Sequence, residues 1–356
     1  MWSMRPTLVF SRGPPQPGGP VQLHVTNPYS LTIAHVRRNT YGWRRATDAI
    51  ARGGFSLARA AASHLPRSAL SPLAVVAALF QAVFSPGRAR VFSENLLYIL
   101  PEGKTSWPSR ASLTFKALRS YGLFLLEFLK ISRMDQQTFM RDFSFEGLGD
   151  MDRALAKGRG VILIATHLGN WEAGARALAH AGYKIHIVVG VQLNRSLSPY
   201  MKALKRDAGV GVVSPGPGEY RRLIGALRDN EIVVLAVDGD TFERGLEIPF
   251  FRGRMRAATG PARLAALTGA PVVATHVLRD RPMRFRMNFR TLWDGENGSS
   301  LSPRHKDFVP RLTEYLMGSL EAPIAEHLDQ WCIFRPLWSK MNGGGSTNGS
   351  VRGAAD

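Results

Sequence analysis

The junction between an apolar run and the polar residues that follow it, at 161–172, constrains the fold of this chain more than any other stretch. Residues 161–166 are apolar and rich in β-branched side chains, and a Gly-Arg-Gly turn precedes them, which predicts a buried strand. Asn170 stands where a helix cap is expected, before a helix predicted over Trp171–Ala181. His167 is therefore predicted to lie between the carboxyl end of a strand and a helix start, where open α/β sheets carry functional residues.

His167 is the candidate catalytic base. A neutral imidazole can take a proton from a hydroxyl as it attacks a carbonyl, if a second group orients the ring. Glu172 follows five residues later, and a sharp turn would bring its carboxylate to the far ring nitrogen, so Glu172 is the candidate orienter. No protein nucleophile is needed in this arrangement. The alternative, which the residues alone favour about equally, is a capping or core histidine beside a surface glutamate.

After residue 145 the chain alternates between strand and helix patterns, which predicts an α/β fold with a mixed, mostly parallel sheet flanked by helices. The predicted strands are Val161–Thr166, Lys184–Val189, Gly211–Ser214, Ile232–Val237, Pro271–Leu278 and Arg284–Phe289. The predicted helices are Trp171–Ala181, Ser198–Ala208, Tyr220–Asp229, Ala257–Thr268 and Lys306–His327. Residues 141–340 are thus expected to form the α/β domain, followed by a flexible tail at 341–356.

The N-terminal part divides into two regions. Residues 1–40 are rich in proline and glycine and are expected to be a disordered leader, or the result of a start codon placed too early. Residues 41–140 are predicted to be a basic, helical, membrane-associating region. Its apolar run Leu70–Phe84 is shorter than the ~20 residues of a spanning helix. Arginines flank both ends of the run, so an interfacial helix is favoured over a span, with a buried core helix as the alternative.

The formal net charge of +19 indicates an acidic partner: nucleic acid, anionic lipid, phosphorylated glycan or an acidic carrier protein. Nucleic acid is the least favoured because the chain has neither an RNP-type aromatic motif nor a zinc module. The single cysteine, Cys332, excludes an intrachain disulfide framework and fits a reducing compartment. Histidine and acidic residues lack paired ligand spacing, so no metal and no cofactor are predicted.

Two further stretches offer site residues. Asp238 follows the predicted strand Ile232–Val237, so its carboxylate is expected at the same sheet edge as His167, either as a site carboxylate or as a turn cap. In the stretch Glu247–Arg254, Phe250 is expected to line an acyl chain while Arg252 or Arg254 binds a phosphate. A buried strand with a basic loop is the equally favoured alternative.

From about Arg90 to Trp338 these blocks resemble the bacterial lipid A biosynthesis acyltransferases and the related phosphatidylinositol mannoside acyltransferases. The most specific block is His-Leu-Gly-Asn-Trp-Glu at 167–172, which is similar to the family's His-x-x-x-x-acid signature. The other matching blocks are Arg90–Leu96 with Leu100-Pro101, Phe145–Gly147, Arg206–Gly209, Asp238, Ile248–Phe251, Thr259–Ala265 and Gln330-Trp331 with Arg335 and Trp338. The sequence departs from the family at Gly190–Arg195, where an Arg-Pro pair followed by Asn-Pro is usual.

The resemblance implies a glycerolipid-acyltransferase-like fold and a fatty acyl transfer from acyl carrier protein, or from acyl-coenzyme A, to a hydroxyl of a lipid A precursor or similar glycolipid. It implies lipopolysaccharide biosynthesis at the cytoplasmic face of the cell inner membrane, by a peripheral or single-pass protein. Residues implied in substrate binding are Asn170, Asn194, Arg195, Arg206, Asp238, Phe250, Arg252 and Arg254. The alternatives are a different glycolipid or aminolipid acceptor, or a non-catalytic membrane- and lipid-binding relative.

Overall fold

The computed structural model describes residues 53–189, 198–214, 216, 218–238, 245–295, 303 and 305–338. The helices are α1 (53–64), α2 (Arg67–Phe84), α3 (Pro86–Ile99), α4 (Trp107–Ile131), α5 (Gln136–Met140), α6 (Leu148–Leu155), α7 (Trp171–His180), α8 (Ser198–Asp207), α9 (Glu219–Arg228), α10 (Gly260–Thr268), α11 (Phe308–Gly318) and α12 (Glu321–Glu326). The strands are β1 (Phe143–Glu146), β2 (Val161–Gly169), β3 (Ile185–Val188), β4 (Gly211–Val213), β5 (Ile232–Ala236), β6 (Leu246–Phe250), β7 (Gly253–Ala257), β8 (Val272–Arg281) and β9 (Arg284–Trp293). The predicted leader and tail lie outside the described residues.

Seven of these strands form one sheet in the order β1-β9-β8-β2-β5-β3-β4. All neighbouring pairs are parallel except β8 and β9, which form an antiparallel hairpin. Helices flank the sheet, so the predicted α/β class with a mixed, mostly parallel sheet is confirmed. The strands β6 and β7 form a separate antiparallel hairpin. The central position of β2, between β8 and β5, buries it on both sides and brings its carboxyl end to the middle of one sheet edge.

All six predicted strands are present, whereas two predicted helices differ from the structure. The helix expected from Ala257 begins only at Gly260, because Ala257 still pairs with Leu246 in the β6–β7 hairpin. The single helix expected over 306–327 is wrong, since the chain forms α11 and α12 with a break between them. Pro323 in the first turn of α12 explains the break, because a proline has no backbone N–H to continue a preceding helix.

The helices that precede the sheet form a layer in which α2 packs against α4. Gly122 of α4 allows the close approach, because a Cβ at this position would lie 3.2 Å from the carbonyl oxygen of Ala74. The buried face of α2 carries Leu70, Ala74 and Ala78. Its opposite face is apolar as well, and the exposed side chains there are Leu73, Val76, Leu79, Phe80, Val83 and Phe84. Within the described residues, α2 is the one helix whose length and composition would suit a membrane span.

A bulge in β2 shapes the edge of the sheet. Ala165 pairs with Thr275 of β8, but the next paired residue, Gly169, is opposite Val277, so three residues of β2 stand against one of β8. Gly169 has a φ of +65°, and a Cβ there would lie 1.8 Å from the carbonyl oxygen of Val277. Only glycine fits both the left-handed backbone and this approach. The bulge takes residues 166–168 out of the regular pairing between β2 and β8.

We therefore expect Gly169→Ala to destabilise the protein strongly, because the added methyl group overlaps the backbone of β8. Gly158→Ala is the matched control, since Gly158 has a similar φ of +68° with no atom within 4 Å of the added Cβ. The control should lower the free energy of unfolding by only about 1–2 kcal/mol, the strain of a left-handed backbone at a non-glycine residue. Urea unfolding of both variants measures the difference, and equal losses of stability would contradict the steric account.

Candidate active site

The bulge holds His167 by its main chain on two sides. The His167 amide donates to Asp238 Oδ2 at 2.7 Å, and its carbonyl accepts from the amide of Cys332 at 2.9 Å. The next residue, Leu168, forms an isolated antiparallel bridge with Trp331. His167 is thus clamped between the chain after β5 and the C-terminal segment. Its side chain remains 31% exposed, so the ring is open to a ligand.

Asp238 is the residue that orients the imidazole. It follows β5, the neighbour of β2 in the sheet, and its carboxylate is 0% exposed. The Oδ1 atom lies 2.6 Å from His167 Nδ1. The Oδ2 atom accepts from the His167 amide and, at 3.1 Å, from Trp331 Nε1. The structure thus brings Asp238, expected at the same sheet edge, into contact with the His167 ring.

The charges of the pair determine the tautomer of the histidine. Burial raises the pKa of Asp238, but the His167 charge and the three hydrogen bonds outweigh it and hold the pKa below its ordinary value. An ionised carboxylate can only accept, so the neutral ring donates from Nδ1 and leaves Nε2 as a free acceptor. Burial alone would lower the pKa of His167, but the charge and hydrogen bond of Asp238 reverse this effect and raise it.

Glu172 does not make the contact that was expected of it. Its carboxylate forms an ion pair with Lys205 Nζ, and both side chains are largely buried between α7 and α8. Because Asn170 caps α7, Glu172 is in the first turn, and its side chain leans toward α8, whereas Nδ1 of His167 is bonded to Asp238. In the structure Asp238, just after the adjacent strand β5, makes the contact with Nδ1 that was predicted for Glu172.

Asn170 was expected to bind substrate, and the structure places its side chain in the interior. Its Oδ1 accepts from the amide of Ala173 and caps α7, while its Nδ2 donates to Glu127 Oε2 at 2.9 Å. Arg206 is exposed in the last turn of α8. Asn194 and Arg195, which were also expected to bind substrate, lie outside the described residues.

The hairpin of β6 and β7 carries the remaining predicted residues. Phe250 is fully buried in the main core, and its carbonyl accepts from Trp338 Nε1 at 3.0 Å. The amide and guanidinium of Arg252 donate to the carbonyls of Tyr98 and Leu97 in α3. Arg254 is exposed and pairs with Glu247 across the hairpin at 2.9 Å. Arg252 thus secures the hairpin to α3, while Arg254 keeps an exposed guanidinium.

Two other reactive groups lie close to the pair but are held in inert forms. Burial lowers the pKa of His276 to about 4, and its Nδ1 is hydrogen-bonded with Thr166 Oγ1 at 3.1 Å. Burial raises the pKa of the Cys332 thiol to about 12. His276 is therefore neutral and Cys332 protonated at physiological pH, so neither is suited to be the base or a thiolate nucleophile.

Sequence reasoning missed several residues that build the site. Trp331 was noticed in a motif but not as a donor to Asp238, and Lys205 was not considered. Glu127 was not considered either, and it is fully buried and paired with Arg279. A lone acidic residue in the apolar run 121–129 is a signal that could have revealed this ion pair, because a buried charge requires a partner.

Comparisons with known proteins identify the family of this chain. The family model for the bacterial lipid A biosynthesis acyltransferases matches residues 55–340. The phosphatidylinositol mannoside acyltransferase of Mycobacterium tuberculosis (strain CDC 1551 / Oshkosh) is 28% identical over 228 residues, which cover 62% of this chain and 69% of the relative. The enzyme of the same name from Mycolicibacterium smegmatis is 25% identical over 62% of this chain and 71% of the relative. The lipid A biosynthesis palmitoleoyltransferase of Escherichia coli K12 is 26% identical over 55% and 63%, respectively.

The geometry predicts how His167 titrates. We expect its pKa to lie above the ordinary value of about 6.5 in the wild type. In Asp238→Asn the pKa should fall below that value, because burial and the nearby Arg335 charge both lower it and only the distant Glu172 charge still raises it. NMR titration of [13Cε1]histidine-labelled protein measures both values, with the His167 signal assigned by its loss in His167→Ala. An unchanged pKa in Asp238→Asn would contradict the pairing.

Proposed function

Because this chain belongs to the bacterial lipid A biosynthesis acyltransferase family, it is an acyltransferase, and we propose that it moves a fatty acyl group from a thioester to a glycolipid hydroxyl. The observation that carries this proposal is the hydrogen bond between His167 Nδ1 and Asp238, which fixes the tautomer that leaves Nε2 as a proton acceptor. We assign His167 as the general base and Asp238 as the group that orients it.

The proposed reaction is a direct transfer. His167 Nε2 takes the proton of the acceptor hydroxyl as its oxygen bonds to the thioester carbonyl carbon. The carbon–sulfur bond then breaks, and the leaving thiolate takes the proton from Nε2, giving an ester and a free thiol. The buried Asp238 carboxylate stabilises the imidazolium that exists between these steps. A raised pKa suits this cycle, because the same ring must accept the proton and later return it.

The acceptor is proposed to be a glycolipid. The relatives are, by their names, acyltransferases of phosphatidylinositol mannoside and of lipid A biosynthesis, so a mannolipid and a lipid A precursor are the two acceptors to compare. The donor is proposed to be acyl carrier protein or acyl-coenzyme A, both of which are anionic. The excess of basic residues in the chain favours either donor and an anionic membrane surface.

We further propose that α2 attaches the protein to the cytoplasmic face of the inner membrane. Its exposed side carries six large apolar side chains between Leu73 and Phe84, and such clusters of exposed apolar groups are typical of contact with a membrane or a partner. Its other side is buried against α4, so lipid cannot surround α2 unless the two helices separate. This favours an interfacial position over a span, with the exposed face dipped into one leaflet.

We expect His167→Ala to lower acyl transfer by roughly 10³-fold and Asp238→Asn by roughly 10²-fold, because general acid–base catalysis contributes about 10²–10⁴. The substrates are radiolabelled acyl carrier protein and acyl-coenzyme A with a lipid A precursor, a phosphatidylinositol mannoside, or total membrane lipids of the source cell. Appearance of a labelled lipid with the wild type identifies both donor and acceptor.

The double variant Glu172→Leu/Lys205→Met is the matched control, since it removes a buried ion pair without removing the partner of the His167 ring. It should retain most of the wild-type kcat once folding is verified by circular dichroism. A loss of kcat equal to that of Asp238→Asn would indicate that Glu172 orients the His167 ring. Failure of the wild type to label any lipid across all donors would contradict the proposed reaction.

For the membrane surface we expect Phe80→Ser/Val83→Ser to weaken vesicle binding roughly tenfold or more, because burying a large apolar side chain contributes about 1.5–3 kcal/mol. Sedimentation with phosphatidylglycerol-containing vesicles measures the effect. The control is Leu267→Ser/Tyr315→Ser, which changes two exposed side chains on α10 and α11. Equal binding by the two double variants would contradict the assignment of α2.

A further inference from the structure

Behind the His167 turn lies a charged pair that takes no part in the proposed chemistry. Arg279 of β8 binds Glu127 of α4 through Nε, at 2.8 and 2.9 Å from the two carboxylate oxygens, and through Nη2 at 2.8 Å from Oε2. The two side chains are 4% and 0% exposed, respectively. The Glu127 carboxylate also accepts from Asn170 Nδ2 and, at 3.1 Å, from the amide of Met283. Its hydrogen-bonding capacity is therefore filled entirely by the protein.

Such a pair is not explained by stability alone. Removing two charges from water is costly, and well-packed apolar side chains in their place are often neutral or stabilising. Glu127 also stands in a helix that otherwise contacts the core through apolar groups such as Leu123, Phe124 and Phe128. Buried polar groups can instead be retained because they specify one arrangement of the surrounding chain.

One connection runs from Glu127 to the turn that carries the base. Glu127 holds the Asn170 side chain, whose Oδ1 caps α7 by accepting from Ala173. The Asn170 amide donates to the carbonyl of Val277 at 3.0 Å. Asn170 is three residues from His167, so these bonds fix the end of the bulge from which the imidazole projects.

A second connection runs from Arg279 to the partner of the base. The Arg279 amide donates to Gln330 Oε1 at 2.9 Å, and Gln330 Nε2 donates back to the Arg279 carbonyl at 3.0 Å. The next residue, Trp331, donates to Asp238, and the amide of Cys332 donates to the His167 carbonyl. These two bonds to Gln330 are made by the main chain of Arg279, so they hold the C-terminal segment beside the strand that carries the pair.

We propose that Glu127 and Arg279 are positioning residues that set the distance and alignment between His167 and Asp238. The pair acts through the Asn170 cap, and it fixes the place of β8, whose main chain at Arg279 holds Gln330 next to Trp331. Because Glu127 lies on α4, which packs on α2, the pair also joins the layer proposed to contact the membrane to the catalytic turn. The kinetic part of this inference rests on the proposed acyl transfer.

The test is the double variant Glu127→Leu/Arg279→Met, which removes both charges and leaves neither one unpaired. We expect a cooperative thermal transition close to that of the wild type, a kcat lowered roughly tenfold or more by misplacement of the base, and a KM that changes little. The pKa of His167, measured by NMR, should move toward the ordinary value of about 6.5. This NMR readout does not require turnover, so it tests the positioning even if no lipid substrate is accepted.

The matched control is His186→Asn/Glu231→Gln. It removes another partly buried pair, joined at 2.6 Å, at the amino ends of β3 and β5, away from the edge that carries Asp238. It should leave kcat and the pKa of His167 unchanged.

A folded Glu127→Leu/Arg279→Met variant with wild-type kcat and wild-type His167 titration would overturn the inference. If that variant does not fold, Glu127→Gln, which removes the charge and leaves one acceptor oxygen in place of two, must show a displaced titration of His167. If neither folds, the pair serves the fold as a whole and the positioning role is refuted. Displaced titration in a protein whose wild type transfers no acyl group would contradict the proposed function while supporting the positioning pair.

Discussion

Asp238 is a carboxylate without exposed surface, and the active edge of the sheet depends on keeping it ionised. Desolvation of a carboxylate costs several kcal/mol unless donors compensate it. Here two donors come from His167 and one from the indole of Trp331. One buried charge therefore joins β5, the bulge of β2 and the C-terminal segment, and it gives the imidazole both its tautomer and its raised pKa. Stability of the edge and basicity of the histidine have the same origin.

The rest of the fold can be understood as support for that contact. The parallel pairing of β2 with β5 brings their carboxyl ends side by side, and Val237 donates to the carbonyl of Ala165 just before Asp238. The glycine at 169 lets the chain leave the ladder close to β8. On the far side, α4 contributes Glu127 and packs against α2, whose outer face remains apolar. A single stack of elements thus runs from the proposed membrane face to the base.

Much of this architecture follows from local sequence patterns. Six strands and the position of His167 were predictable, because buried β-branched runs and a capping asparagine are signals confined to a few residues. The partner of His167 was not predictable in this way. Glu172 is close in sequence, whereas Asp238 is 71 residues away and becomes a neighbour only through the pairing of β2 with β5. Spacing along the sequence favoured Glu172, whereas the topology of the sheet brings Asp238 to the ring.

Other differences between the sequence-based expectations and the structure have similar causes. The predicted helix over 306–327 contains a regular apolar pattern, but the proline at 323 separates it into α11 and α12. Phe250 and Arg252 were expected to bind substrate because aromatic and basic groups suit acyl chains and phosphates. In the structure the hairpin is packed against α3 and Trp338, so the phenyl ring belongs to the core and the guanidinium to a tertiary contact. The chemical type of a side chain does not reveal which residues it packs against or hydrogen-bonds with in the fold.

The most direct test of the central claim is the pH dependence of kcat/KM for acyl transfer, measured beside the NMR titration of His167 in the same wild-type protein. If His167 is the base held by Asp238, kcat/KM should rise with pH through the measured pKa of His167, at a value above about 6.5. A kcat/KM that is constant across the titration of His167, or that rises at an unrelated pH, would contradict the assignment of the base.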